Sequence, residues 1–199
     1  MLRWSFWFAL LACGANKPAV TGPSELVKRD IERAEKAEEN RDHNVARKYY
    51  EKAIGNAKDP ISIGYARREF AETLATWGEI ESALGQLEKA VAATPDDPIA
   101  WQMLGIIRAS DVVHDIPGAF TALEKSKQLA PRSYIPRRDL AVLHWKLGHK
   151  QEALAEYKAM LELDLPTRLR DKVEWAIEEL EKSDSTAQPP PGPAPAPTP

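Results

Sequence analysis

Cysteine is nearly absent: Cys13 stands alone among the 199 residues. No disulfide can close within the chain, and no cysteine-based metal site can form. A dominant charge is missing too. Lys and Arg total 27 against 30 Asp and Glu, a formal net charge of -3. That excludes the broad basic footprint of a nucleic-acid binder. No apolar run reaches the roughly 20 residues that a membrane-spanning helix needs. HExxH, GxSxG and phosphate-loop patterns do not occur. The histidines are His43, His114, His144 and His149. His144 falls on the apolar side of a helical pattern, which predicts a packing role. His149 follows Gly148 and starts a helix. Neither an enzyme nor a cofactor or metal site is expected.

The two ends differ from the middle. After Met-Leu-Arg comes WSFWFALLA, then Cys13-Gly14, then the unpatterned GANKPAVTGP. One positive charge, an apolar stretch too short to span, and small residues have the layout of a secretory signal. The following Gly/Pro-containing stretch suits a tether. At the other end, seven of the 16 prolines fall in the last 11 residues. Such a segment cannot bury a core and predicts a disordered tail rich in polyproline II.

Between the ends a phrase recurs. Ala46, Ala83, Ala119 and Ala153 follow one another at 37, 36 and 34 residues. Behind each runs AxxxYxxA, AxxxLxxA, AxxxLxxS or AxxxYxxM. A period of this size means stacked helix pairs, each too small to bury its apolar face alone. In the third unit Trp101, Leu104, Gly105 and Arg108 share one helix face. Asp96-Asp97-Pro98 precedes them as a start signal, and Pro131 ends the second helix. Gly105 and Ala119 fall where two helices are expected to cross closely. The polar segment SELVKRDIERAEKAEEN suits a terminal cap, and its Glu32, Glu35, Glu38 and Glu39 read as a solvated face. Pro166 to Lys182 predicts a capping helix with Leu169, Val173, Ala176, Ile177 and Leu180 as its apolar stripe and Trp175 off it.

Trp101, Leu104-Gly105, Ala119, Leu123 and Pro131 resemble the tetratricopeptide repeat. So do Phe70-Ala71, Leu74, Gly78, Ala83, Leu87, Ala90 and Pro95, and then Leu140-Ala141, Gly148, Ala153 and Tyr157. The third unit carries extra turn residues around ASDVVHDIP. The resemblance implies an all-α solenoid of about four helix pairs plus the capping helix. It also implies an inner groove, lined by the first helix of each pair, that binds a protein or peptide. The groove candidates are Tyr65, Arg68, Gln102, Met103, Ile106, Arg138, Val142 and Trp145, with Ile99, Asp139, Glu69 and Glu72 beside them. Aromatic and arginine anchors carry binding energy, and Met adapts its shape. The clamp of chaperone-binding members needs Asn on the inner helices. None is expected there.

Leu10-Leu11-Ala12-Cys13 resembles the lipobox of bacterial lipoproteins. The resemblance implies lipidation of Cys13 after removal of residues 1–12. The predicted organisation is then a signal peptide over 1–12, a tether over 13–23, a repeat array with capping helix over 24–182, and a Pro-rich tail over 183–199. It implies a lipid-anchored scaffold at the outer membrane, facing the periplasm, that assists a pilus, secretion or cell-wall complex. The alternatives are a periplasmic factor holding an unfolded chain for cytochrome maturation, and a cytosolic adaptor without an anchor.

Overall fold

The computed structural model describes residues 22–182, which form nine helices and no strand. The expected signal peptide, Cys13, most of the expected tether and the Pro-rich tail lie outside the described residues. The helices are α1 (Glu25–Glu39), α2 (His43–Asn56), α3 (Pro60–Thr76), α4 (Ile80–Ala93), α5 (Pro98–Arg108), α6 (Ile116–Leu129), α7 (Ile135–Lys146), α8 (Lys150–Leu161) and α9 (Thr167–Glu181).

Local chemistry sets their ends. The side chains of Ser24, Asp42, Asp59, Asp97 and Asp115 each accept from a backbone N–H of the first turn. This satisfies donors the helix cannot pair internally. Prolines open α3, α5, α6 and α7, where a missing N–H costs nothing. Gly78 and Gly148 follow α3 and α7 at φ +82° and +75°, the left-handed position at which glycine has no Cβ penalty. The turn between α5 and α6 carries the extra residues, with His114 at φ +51°.

The helices pair as α1/α2, α3/α4, α5/α6 and α7/α8, with α9 packed on α8. Small residues hold the crossings. Ala46, Ala83, Ala119 and Ala153 are fully buried on the even helices. Ala34, Ala71, Ala141 and Ala176 are fully buried on odd ones, with Gly105 buried at the matching place on α5. A Cβ on Gly105 would stand 2.6 Å from Leu123 Cγ and 3.2 Å from the Ala119 carbonyl oxygen. The expected close crossing is therefore present. Tyr50 and Tyr157 occupy equivalent core places. Thr73 donates to the Tyr50 hydroxyl at 2.8 Å, while the buried Tyr157 hydroxyl has no partner among the described residues.

The first helix is less polar in its setting than its composition suggests. Val27, Ile31, Ala34 and Ala37 are buried. The buried Asp30 carboxylate accepts from Asn56 at 2.7 Å and lies 3.2 Å from the Lys52 ammonium. A buried charge is tolerable when paired and hydrogen-bonded in this way.

Curvature follows from which helices touch. Odd helices meet one another, α1 with α3 and α3 with α5, as well as their even neighbours. Each even helix packs only between odd ones. The odd helices therefore lie on the inner radius and the even ones on the outer. The α5–α7 step is bridged by Gln102, whose side-chain amide donates to Asp139 at 2.5 Å.

Gly105→Val should lower unfolding free energy by about 1–3 kcal/mol, because the added atoms overpack the crossing. Gly85 on α4 has nothing within 4 Å of a new Cβ. Gly85→Ala should instead gain about 0.5–1 kcal/mol by helix propensity. Urea denaturation of the two variants gives both signs.

Candidate partner-binding groove

The inner surface changes character along the array. At its first end, α1 and α3 bring carboxylates together. Glu32, Glu35 and Glu39 repeat on one face of α1 and meet Glu69 and Glu72 of α3. Burial, then Glu69 and Glu32, push the Glu35 carboxyl above the usual carboxylate range, with Glu39 and Glu72 adding to the shift. Glu72 is raised by burial and Glu69, against the opposing pull of Arg68. Tyr65 stands in the same cluster, its phenol pushed up to about 12 by burial and by Glu69 and Glu35.

The two groove arginines are already committed. Arg68 donates to Asp97 at 2.8 Å and to Glu69 at 2.9 Å, with its guanidinium 5.5 Å from the centre of the Tyr65 ring. Asp97 does double duty, because its other oxygen caps α5 by accepting from Ile99 and Ala100. Arg138 donates through Nε and Nη2 to one Asp139 oxygen, at 2.8 and 2.6 Å. Asp139 in turn holds Gln102. These partly buried charge-assisted pairs fix side chains that would otherwise reach for a ligand.

The α5–α7 section is aliphatic. Ile99 is 52% exposed and Ile106 45%, on the α5 face that also carries Gln102. Ile135 is exposed and Val142 half-buried on the matching face of α7. Met103 is half-buried and packs on the core of the first three pairs. It fills the seam, while Ile106 faces outward. Apolar residues left exposed together on a concave surface mark an interaction site more often than scattered ones do.

Trp145 does not belong to the open groove, contrary to the expectation from the sequence. It is only 7% exposed. Its ring meets Tyr157 edge-on at 6.1 Å and lies 6.3 Å from Trp175 of α9. The capping helix covers it. Trp175 is 43% exposed, so the solvent-facing indole here belongs to the capping helix. Its place off the apolar stripe of α9 was the available signal.

Two other expectations change. Glu38 is not on a free solvated face, since Trp77 donates to it at 2.8 Å. Glu32, Glu35 and Glu39 do carry solvent exposure, but they confront a second row of acids. Their spacing of three and four residues was legible; their neighbours on α3 were not. His144 is partly exposed instead of buried. It leans on Phe120 at 4.6 Å, with its Nδ1 3.4 Å from that of His149. Burial lowers its affinity for a proton, Glu152 raises it, and His149 lowers it again.

No protein family matches the sequence, and no curated protein does. Solved structures do. MamA superposes with TM-score 0.61 at 16% identity, over 79% of this chain and 87% of that one. TTC0263, a thermophilic TPR protein of Thermus thermophilus, gives 0.55 at 20% identity over 77% and 80%. The human IFIT1 dimer with PPP-AAAA gives 0.59 at 20% identity over 73% of this chain. The match spans about a third of the IFIT1 chain, 34%.

Trp145→Ala should cost about 3–5 kcal/mol of stability, as for a large aromatic removed from a core. Trp175→Ala should cost under about 1 kcal/mol. Paired denaturation curves check this. The carboxyl pair yields a sign. A pKa raised in the folded state contributes stability at low pH that is lost as pH rises through it. Glu72→Gln should therefore be more stable than the parent at pH 7, and the gain should vanish below the ordinary Glu value of about 4.3. Melting across pH tests it. With nine helices, no strand and this array of solved neighbours, the described chain has the all-α solenoid fold of TPR proteins.

Proposed function

We propose that the protein is a non-enzymatic scaffold that binds a segment of another protein in the groove of its odd helices. The observation that carries this is the aliphatic stripe of Ile99, Ile106 and Ile135, left in solvent on the concave side of the array. Burying such side chains against a partner gains roughly 25 cal/mol per Å² of apolar surface removed from water. Their neighbours Gln102, Asp139 and Arg138 are already bonded to one another, so a ligand meets a preorganised floor, which lowers the ordering cost of binding. The fold shared with a TPR protein is consistent with this use, though a fold alone does not assign one. A nucleic acid suits the groove poorly, because its phosphates would meet the carboxylates of α1 and α3.

The proposal extends to location. Leu10-Leu11-Ala12-Cys13 supports lipid attachment at Cys13, which would tether the array at the outer membrane, facing the periplasm. There it would assist assembly of an envelope complex such as a pilus, secretion or cell-wall machine. Multiple acyl chains give a stable anchor where one does not. No helix among the described residues is long and apolar enough to cross a membrane.

A photo-crosslinking amino acid at Ile106 should give a discrete protein adduct in cells. The same group at Lys89, exposed on the outer helix α4, should not. Adducts at Lys89 without any at Ile106 would put the binding surface on the convex side. Cys13→Ser should move the protein from the membrane fraction to the soluble one. A soluble parent protein would defeat the anchor.

A further inference from the structure

We infer that the groove selects a two-part segment: a basic end that lies on α1 and α3, followed by aliphatic residues that lie on α5 and α7. This rests on the protein-binding function proposed above and names the chemistry of the partner. The charges on the inner surface are unequal once internal pairs are removed. Arg68 is held by Glu69 and Asp97, Arg138 by Asp139, and Lys28 by Glu25. Among the described residues, Glu32, Glu35, Glu39 and Glu72 have no ion-pair partner. The wall therefore shows uncompensated negative charge next to an uncharged aliphatic floor.

The arrangement is costly to the free protein. Glu35 and Glu72 are brought near one another and near Glu69 by the packing of α1 on α3. Lysine or arginine side chains laid on that wall would relieve the repulsion, whereas an acidic segment would add to it. Further along, Ile99, Ile106 and Ile135 offer nothing to a charge and would leave it desolvated and unpaired. The two surfaces lie on successive inner helices, so their order along a bound chain is set by the solenoid. With helix-to-helix steps of about 8–10 Å and about 3.3 Å per extended residue, roughly 7–9 residues reach from α1 to α7, within the length of a 12-residue peptide.

The test uses end-blocked, fluorophore-labelled 12-residue peptides with three lysines at one end and alternating leucine and serine over the rest, made in both sequence orders. Binding is read by anisotropy on the full chain. One order should bind, more tightly as salt falls, since the pairs on the wall remain partly screened by solvent. Replacing its lysines by glutamates should weaken it by about tenfold or more. Glu35→Gln/Glu72→Gln in the protein should do the same. Glu81→Gln/Glu162→Gln makes the same change in net charge at exposed positions on α4 and at the end of α8 and should leave the affinity unchanged. Circular dichroism confirms that each variant is folded. The inference is overturned if the glutamate peptide binds equally well, if the outer double variant loses as much as the inner one, or if neither lysine peptide binds below about 1 mM. Failure of the underlying groove assignment looks different. In that case the lysine peptide still binds, but Ile106→Asp has no effect on it.

Discussion

Close approach of helix backbones at small side chains is the constraint on which the rest of this molecule depends. Alanine or glycine recurs at every crossing, from Ala34 and Ala46 to Ala153 and Ala176. At Gly105 even a methyl group would collide with Leu123. Tight crossings let each pair bury Tyr50, Leu87, Leu123 or Tyr157 between its helices. They also bring odd helices into contact on one side only. A stack with contact on one side curves, and the curve produces the groove.

The same stacking decides which charges remain available. Side chains on the inner faces of α3 and α5 meet partners from the next repeat before they meet solvent. Arg68 reaches Asp97 at the start of α5, and Gln102 reaches Asp139 on α7. These bonds tie one repeat to its neighbour; Asp97 removes Arg68 from the pool of free anchors, and Asp139, next to it on α7, removes Arg138. Among the described residues, Glu32, Glu35 and Glu39 of α1 have no ion-pair partner of opposite sign. Among the described residues their face meets α3, which brings Glu69 and Glu72 against Glu35.

Tryptophan shows where pattern reasoning stops. Trp145 lies on the same helix face as Arg138 and Val142, so by periodicity it belonged with them. In the structure α9 lies against that turn, and Trp145 is enclosed between Tyr157 and Trp175. The exposed indole at this end of the array belongs to Trp175 of the capping helix. Periodicity reports which face of a helix a residue occupies. It does not report whether another element stops short of that face or covers it.

The sequence by itself determined the number of helix pairs, the positions of their starts and turns, and the residues at each crossing. These depend on local chemistry: caps, prolines, left-handed glycines, and small side chains at a fixed period. The end of the solenoid was legible too, in the stripe of Val173, Ala176 and Leu180. Only the tertiary structure decided how the inner face is partitioned into paired charge, free carboxylate and exposed aliphatic surface. Those properties are set by distances between helices 26 to 39 residues apart in sequence, such as Glu38 to Trp77 and Asn56 to Asp30. No local pattern encodes such a distance, because it is the sum of every crossing that lies between.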